Sequence, residues 1–282
     1  MTTYYVAKTG SNGNTGGSGD PWLTITYAIS QVVNTDVIEI QDSGTYQERV
    51  NITKEITLQA AAGQSPIIDG IWRGQFPVPA TGVLPGGDHY DGSQTGVYTA
   101  LLQVSADNVT VDGLTVQWST GRGIAATGVD NCTISNCASL NSYSTGLLGH
   151  TITNSLFENC EVASNCTIRL DPQNPTGGNW PISSGTLYSS YVTISGCVVH
   201  DNHGEGIVTA HDDDHVTIED CTSYNNRAPN IYVRGEYPII QRNFVFCTND
   251  YVYRPSPGIV MANEEYAWNP PLSTDQIVIN NI

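Results

Sequence analysis

Four segments of the chain share one pattern of apolar and polar positions. They are "DNVTVDGLTVQWS" from Asp107, "DNCTISNCASLNS" from Asp130, "SYVTISGCVVHDN" from Ser190 and "DHVTIEDCTSYNN" from Asp214. In each, apolar residues alternate with polar ones over a few positions, the period of a half-buried strand, and a small or turn-forming residue then interrupts the run. "LFENCEVASN" from Leu156 repeats the second half of the pattern. Leu114, Cys137, Cys160, Cys197 and Cys221 fall in one column, with steps of 23, 23, 37 and 24 residues. The step of 37 is a 23 plus 14 extra residues, "DPQNPTGGNWPISS" from Asp171 to Ser184, whose Pro and Gly mark a loop. A second column runs through Gly123-Ile124, Gly146-Leu147, Gly206-Ile207, Asn230-Ile231 and Gly258-Ile259. Each unit of about 23 residues therefore holds at least two short strands, with no helical periodicity between them. Such a strand cannot bury its apolar face within its own unit. Stacking unit on unit at roughly 4.8 Å closes a continuous core. The predicted fold is all-β, a right-handed parallel β-helix.

In that register Cys137, Cys160, Cys197 and Cys221 point inward, one above another, as small apolar residues. Parallel side chains give a poor disulfide torsion, so a ladder of free thiols is expected. Residues 1–35 supply a first strand, a Gly/Asn-rich loop and an amphipathic segment from Trp22 that caps the stack as a helix. Residues 36–282 supply the coils of what reads as one β-helix domain, with insertions near 71–100, 171–184 and 249–257. The closing "QIVINNI" stops within a rung motif, so continuation of the chain, or pairing of the last rung with a partner in an oligomer, is expected there.

Charge narrows the partners. Ten basic residues face 27 acidic ones, a formal −17, which argues against nucleic acid and anionic membranes. A polyanionic sugar would need a divalent cation or a local arginine cluster to reverse the field. No apolar run approaches the ~20 residues of a bilayer span, so membrane insertion is not expected, and "MTTYYVAKTG" lacks the regions of a signal peptide. The abundance of Gly, Asn, Thr and Ser fits an extracellular, cell-surface or virion β-protein that meets a polysaccharide or glycan.

"YYVAKTGSNGNTGGSGDPWLTITYAI", "PIIDG", "VTVDGLTV" and "GEGIV" resemble the N-terminal strand and rung phrases of pectate-lyase-like and chondroitinase-B-like β-helix proteins. The likeness covers nearly the whole chain and lies mostly in residues that build the coil. It implies a calcium site of several aspartates, around an Asp-Gly pair and a later Asp-Asp-Gly run, and a lysine base. The sequence departs from that pattern: Glu205-Gly206 stands at the first place and "RAPNIYV", Arg227 to Val233, at the second. Lys8 and Lys54 both lie in the N-terminal quarter. Neither the calcium site nor the base transfers onto these residues.

The residues nonetheless offer a cluster. Stacking "DNHGEGI" on "NNRAPNI" sets His203 over Arg227, in a file with Tyr143 and Thr120, and Glu205 in a file with Arg122, Thr145 and Pro229. A lyase acting on a uronic acid must neutralise the carboxylate, remove the neighbouring proton and protonate the leaving oxygen. Arg227 or Arg234 suits the first task, His203 or Tyr143 the proton transfers, and Glu205 an orienting or cation-binding role. A surface salt bridge beside an imidazole is the plainer reading of the same residues. In "HDDDHV", Asp214 belongs to the repeated turn and His215 to the surface, while Asp212 and Asp213 are surplus to the repeat and with His211 form a candidate Ca2+ site; a solvated acidic turn is the plainer alternative. Arg122 and the loop aromatics Trp72, Trp180, Tyr251 and Tyr253 are candidates for sugar contact. Hydrolysis would need two facing carboxylates, and no such pair occupies one file on successive rungs, although Glu264 and Glu265 could reach that face from a loop. Two functions follow: a polysaccharide lyase-like enzyme, or a noncatalytic glycan-binding or structural rod.

Overall fold

A computed structural model describes residues 1–71, 73–75, 100–170, 182–210, 212–248, 257–262 and 275–282, leaving aside the side chain of Arg169. It is a right-handed parallel β-helix whose described strands form three parallel sheets of ten, eight and eight. Each full coil visits them in turn. One coil runs through Thr133–Ser135 in the first sheet, Ala138–Leu140 in the second and Leu147–His150 in the third, and the next opens at Leu156–Glu158. The coil has three strands because the "VTISxC" phrase holds a corner. The residue before each sulfur or leucine adopts left-handed backbone: Gly113, Asn136, Asn159, Gly196 and Asp220 have φ of 77°, 51°, 54°, 63° and 55°. Asn, Asp and Gly tolerate that region best, and one such residue turns the chain between the first two sheets.

The register is the one expected from the columns. Ile124 pairs with Leu147, Leu147 with Ser184, Ser184 with Ile207, Ile207 with Ile231 and Ile231 with Ile259. Middle residues of successive strands point inward and stack as Val111, Ile134, Phe157, Ile194, Ile218 and Ile240, all at most 1% exposed. The sulfur file lies in the same core: Cys137, Cys160, Cys197 and Cys221 are buried and unbridged. Hydrogen bonding with Cys137 and Cys197, together with burial, holds the Cys160 thiol far above its ordinary pKa.

The N-terminal cap is a helix, Ile25–Gln31, with Ile25, Ala28 and Ile29 buried. Thr24 caps its first turn, and Glu48 accepts from the amides of Ile25 and Thr26 at 3.0 and 2.8 Å. Lys54 donates to the carbonyls of Ile29, Ser30 and Val32 at its C-terminal end. Both lysines are occupied at this end of the stack, since Lys8 lies 4.9 Å over the Tyr46 ring.

The breaks in the coil pattern fall mainly at one corner. Residues 76–99, 171–181 and 249–256 each follow a strand of the second sheet and precede Ala100–Val104, Ile182–Leu187 and Ile259–Met261 of the third. The third sheet is thus the face beside which the sequence departs from the minimal repeat.

Candidate functional site

The turn leading into the third sheet is fixed by an asparagine ladder. Asn165, Asn202 and Asn226 are at most 1% exposed, and each takes the backbone N–H of the coil before it: Ser142 N to Asn165 Oδ1 at 2.8 Å, Asn165 N to Asn202 Oδ1 at 2.8 Å and Asn202 N to Asn226 Oδ1 at 3.3 Å. Buried amides that satisfy one another in this way pin the register of the whole turn. The residues after them make the expected file. His203 N donates to Asn165 O and Arg227 N to Asn202 O, one coil apart. Burial, then the charge of Arg227, depresses the His203 pKa. Tyr143 is 2% exposed, which gives its phenol little access to a polymer in solvent. Glu205, 8% exposed, opens the strand Glu205–Ala210 opposite Ile182.

A second cluster, which the sequence reading missed, lies at the far end of the same sheet. Thr127, His150, Leu187 and Ala210 occupy one register position, and Arg234 follows Val233, the partner of Thr209, in the next coil. The His150 and Tyr188 rings meet edge to face at 5.5 Å and 60°. Thr151 Oγ1 lies 3.1 Å from His150 Nδ1 and orients the imidazole. Burial, then the positive charge of Arg122, lowers the His150 pKa and keeps the ring neutral near pH 7. Burial, then the charge of Asp212, raises the Tyr188 pKa against the opposing pull of Arg234, so the phenol keeps its proton. Arg234, 3% exposed, belongs to this end, while Arg122, 9% exposed, heads the strand Arg122–Thr127 at the Glu205 end with its charge still felt at His150; both are fixed positive charges in a protein whose net charge is strongly negative. Tyr188 is 39% exposed and His150 partly so. Ala100, Ala125 and Leu148 of this sheet form a small buried apolar cluster apart from the main core, with Leu187 packed against it. The signal for this site was in the sequence: carrying the Gly146-Leu147 column three residues further aligns His150 with Arg234.

Of the candidate cation ligands, Asp212 is exposed and His211 lies outside the described residues. Asp213 is not surplus to the repeat. It occupies the inward file of Val129, Ile152 and Ser189, is 1% exposed, and accepts from Thr186 Oγ1 at 2.7 Å, Ser189 N at 2.8 Å and Ala210 N at 2.8 Å. Its oxygens are taken by protein donors, and among the described residues no three His, Cys, Asp or Glu side chains are grouped to hold a metal ion. The candidate set of Asp212, Asp213 and His211 thus loses Asp213 to the core. Trp72, Trp180, Tyr251 and Tyr253 lie outside the described residues, as do Glu264 and Glu265. No helix among the described residues is long and apolar enough to cross a membrane.

The family model "Right handed beta helix region" matches residues 99–282, more than half of the chain. The chain belongs to the right-handed β-helix family. Among solved structures it is similar to the pectate lyase Pel9A, with a TM-score of 0.68 and 15% identity over 100% of this chain and 77% of that one. It is similar as well to a rhamnogalacturonan lyase, at TM-score 0.56 and 14% identity over 100% of this chain and 87% of the other. PfbA, a surface adhesin of Streptococcus pneumoniae, matches at TM-score 0.61 and 14% identity over 86% of this chain and 63% of its own. No curated protein sequence matches. At these identities the likeness establishes the fold alone.

Proposed function

We propose that this β-helix protein is a polysaccharide lyase-like enzyme that cleaves an acidic glycan by β-elimination at the C-terminal end of its third sheet. The observation that carries the reading is the edge contact of His150 with Tyr188, an uncharged imidazole against a protonated phenol, under the charges of Arg122 and Arg234. The arginines supply the positive field that a uronate needs, from beneath the surface rather than by touching it. His150 removes the proton on the carbon next to the carboxylate, and those C–H electrons become the new C=C bond. The C–O bond on the adjacent carbon breaks, and the leaving oxygen takes the Tyr188 proton. No step draws on a metal. His203, Arg227 and Glu205, at the opposite end of the same strands, suit binding of the chain on its way to that site. Asp212, exposed beside Tyr188, is a ligand-facing acid in this arrangement.

The test is to incubate the protein with polygalacturonate, alginate and chondroitin, with and without calcium, and follow the ultraviolet absorbance of unsaturated ends. His150→Ala and Tyr188→Phe should each lower the rate by about a hundredfold or more, the usual worth of a positioned acid or base. Full activity in either variant, or new reducing ends without unsaturation, would overturn the assignment. A noncatalytic glycan-binding rod at a cell or virion surface is the second reading, favoured by the likeness to an adhesin. Binding of an acidic glycan without cleavage would select it.

A further inference from the structure

In the turn from the third sheet back to the first, left-handed backbone occurs directly after the strand, at Gly128, Thr151 and Tyr188, and again at a later position that recurs from coil to coil. Asn108, Asn131, Asn154, Tyr191, His215 and Tyr237 occupy it, with φ of 55°, 54°, 49°, 54°, 52° and 49°. Asparagine is the ordinary choice there, because its short polar side chain bonds locally and tolerates the conformation. For three successive coils the file instead carries large rings. Tyr191 and His215 stack at 4.9 Å and 20°, and His215 and Tyr237 at 4.9 Å and 30°. The rings are not buried: Tyr191 is 57% exposed, Tyr237 43%, and the His215 side chain 44%. Strained backbone accepted repeatedly to display wet aromatic surface points to a ligand rather than to packing.

The neighbouring file narrows the ligand. Ser190, Asp214 and Glu236 are bridged coil to coil beside the rings, so two carboxylates do share a file on successive coils, against the sequence expectation, and Asp214 Oδ1 lies 2.6 Å from His215 Nδ1. Carboxylates next to a sugar-stacking surface accept hydroxyl groups and repel uronates. Each ring also follows a residue of the Tyr188 cluster by three positions, Tyr191 after Tyr188, His215 after Asp212 and Tyr237 after Arg234. The rings therefore continue that surface across the corner of the coil.

We propose that Tyr191, His215 and Tyr237 form a binding strip for an uncharged, hydroxyl-rich stretch of polysaccharide, beside the Tyr188 cluster and independent of any cleavage there. The probe is native electrophoresis in gels containing galactomannan, xyloglucan, mixed-linkage β-glucan or polygalacturonate. The variant is Tyr191→Asn/His215→Asn/Tyr237→Asn, which restores the residue that the same file uses at Asn108, Asn131 and Asn154 and so leaves the turn able to form. The wild type should be retarded by at least one neutral glycan, and the variant should lose at least tenfold in affinity for it with a melting temperature unchanged or raised. Free migration of the wild type in every neutral gel would overturn the strip. So would undiminished retardation of the variant, or a melting temperature lowered by many degrees with binding intact, which would make the rings a packing device. His150→Ala should be retarded like the wild type. A wild type that is retarded but never cleaves would remove the lyase reading and leave the strip standing.

Discussion

Asp213 makes the stability of the coil depend on pH in a direction that can be worked out. Burial pushes its carboxyl up to about 7, and the three donors from Thr186, Ser189 and Ala210, which favour the charged form, only partly offset this. An exposed aspartate sits at 3.8, so the folded protein holds this proton more tightly than the unfolded chain does. Folding takes up a proton between the two values; the stability this contributes is fully present below 3.8 and is lost as the pH rises through 7. At 1.36 kcal/mol per unit the whole swing is about 4 kcal/mol, of which somewhat under 3 kcal/mol falls between about pH 5 and about pH 8. The assay is urea unfolding of the wild type and of Asp213→Asn across that interval. Subtracting one from the other cancels the remaining titrating groups. The wild-type advantage should shrink by about 2 to 3 kcal/mol as the pH rises. A difference that is flat would show that the donors fully offset burial. A difference that grows with pH would show that they outweigh it, with the carboxylate as the preferred form.

The core makes two further predictions. The file of Cys137, Cys160, Cys197 and Cys221 should resist a thiol reagent in the native protein, as should Cys132, whose pKa burial pushes up to about 12; partly exposed Cys247 should react first, and rapid labelling of two or more of the file would refute its burial. Gly185 has φ 144°, and a Cβ there would lie 2.0 Å from the carbonyl oxygen of Val208 in the next coil. Gly185→Ala should therefore cost on the order of 4 kcal/mol or more, seen as a large drop in melting temperature or loss of soluble protein, and a near-neutral result would mean that the coils can part locally.

The coil was legible because its inward positions repeat. A slip of one residue would turn every Val, Ile and Cys of the columns to solvent, so the core permits one register only. That register stacked His203 over Arg227 as the structure does, while the insertion drawn from Asp171 to Ser184 runs three residues into the strand Ile182–Leu187. Asp213 was misread for the same reason: a carboxylate in the file of Val129 and Ile152 carries no apolar signal, although its place in the count was intact. Tyr143 shows a different limit. Its file was right, but how far a turn side chain sinks into the wall depends on what packs over it, and the spacing of a repeat contains nothing about that.

The outward positions obey a different constraint, and there function has room. Every inward residue is held by two neighbouring coils, so a substitution must fit both; an outward residue at a strand end must only let the chain turn. The third sheet and the corners on either side of it use this freedom most. Insertions precede three of its strands, His150 and Arg234 stand at one of its register positions, and the corner after it exchanges asparagine for Tyr191, His215 and Tyr237 over just the coils that hold Tyr188, Asp212 and Arg234. The second sheet carries an outward ring file of its own, His200, Tyr224 and Phe246, on three-residue strands. The described part of the first sheet also keeps three-residue strands, with no insertion between it and the second sheet, from Thr110 to Gln241. Insertions and the exchange of asparagine for rings coincide beside the third sheet, and that is the side on which the proposed site stands.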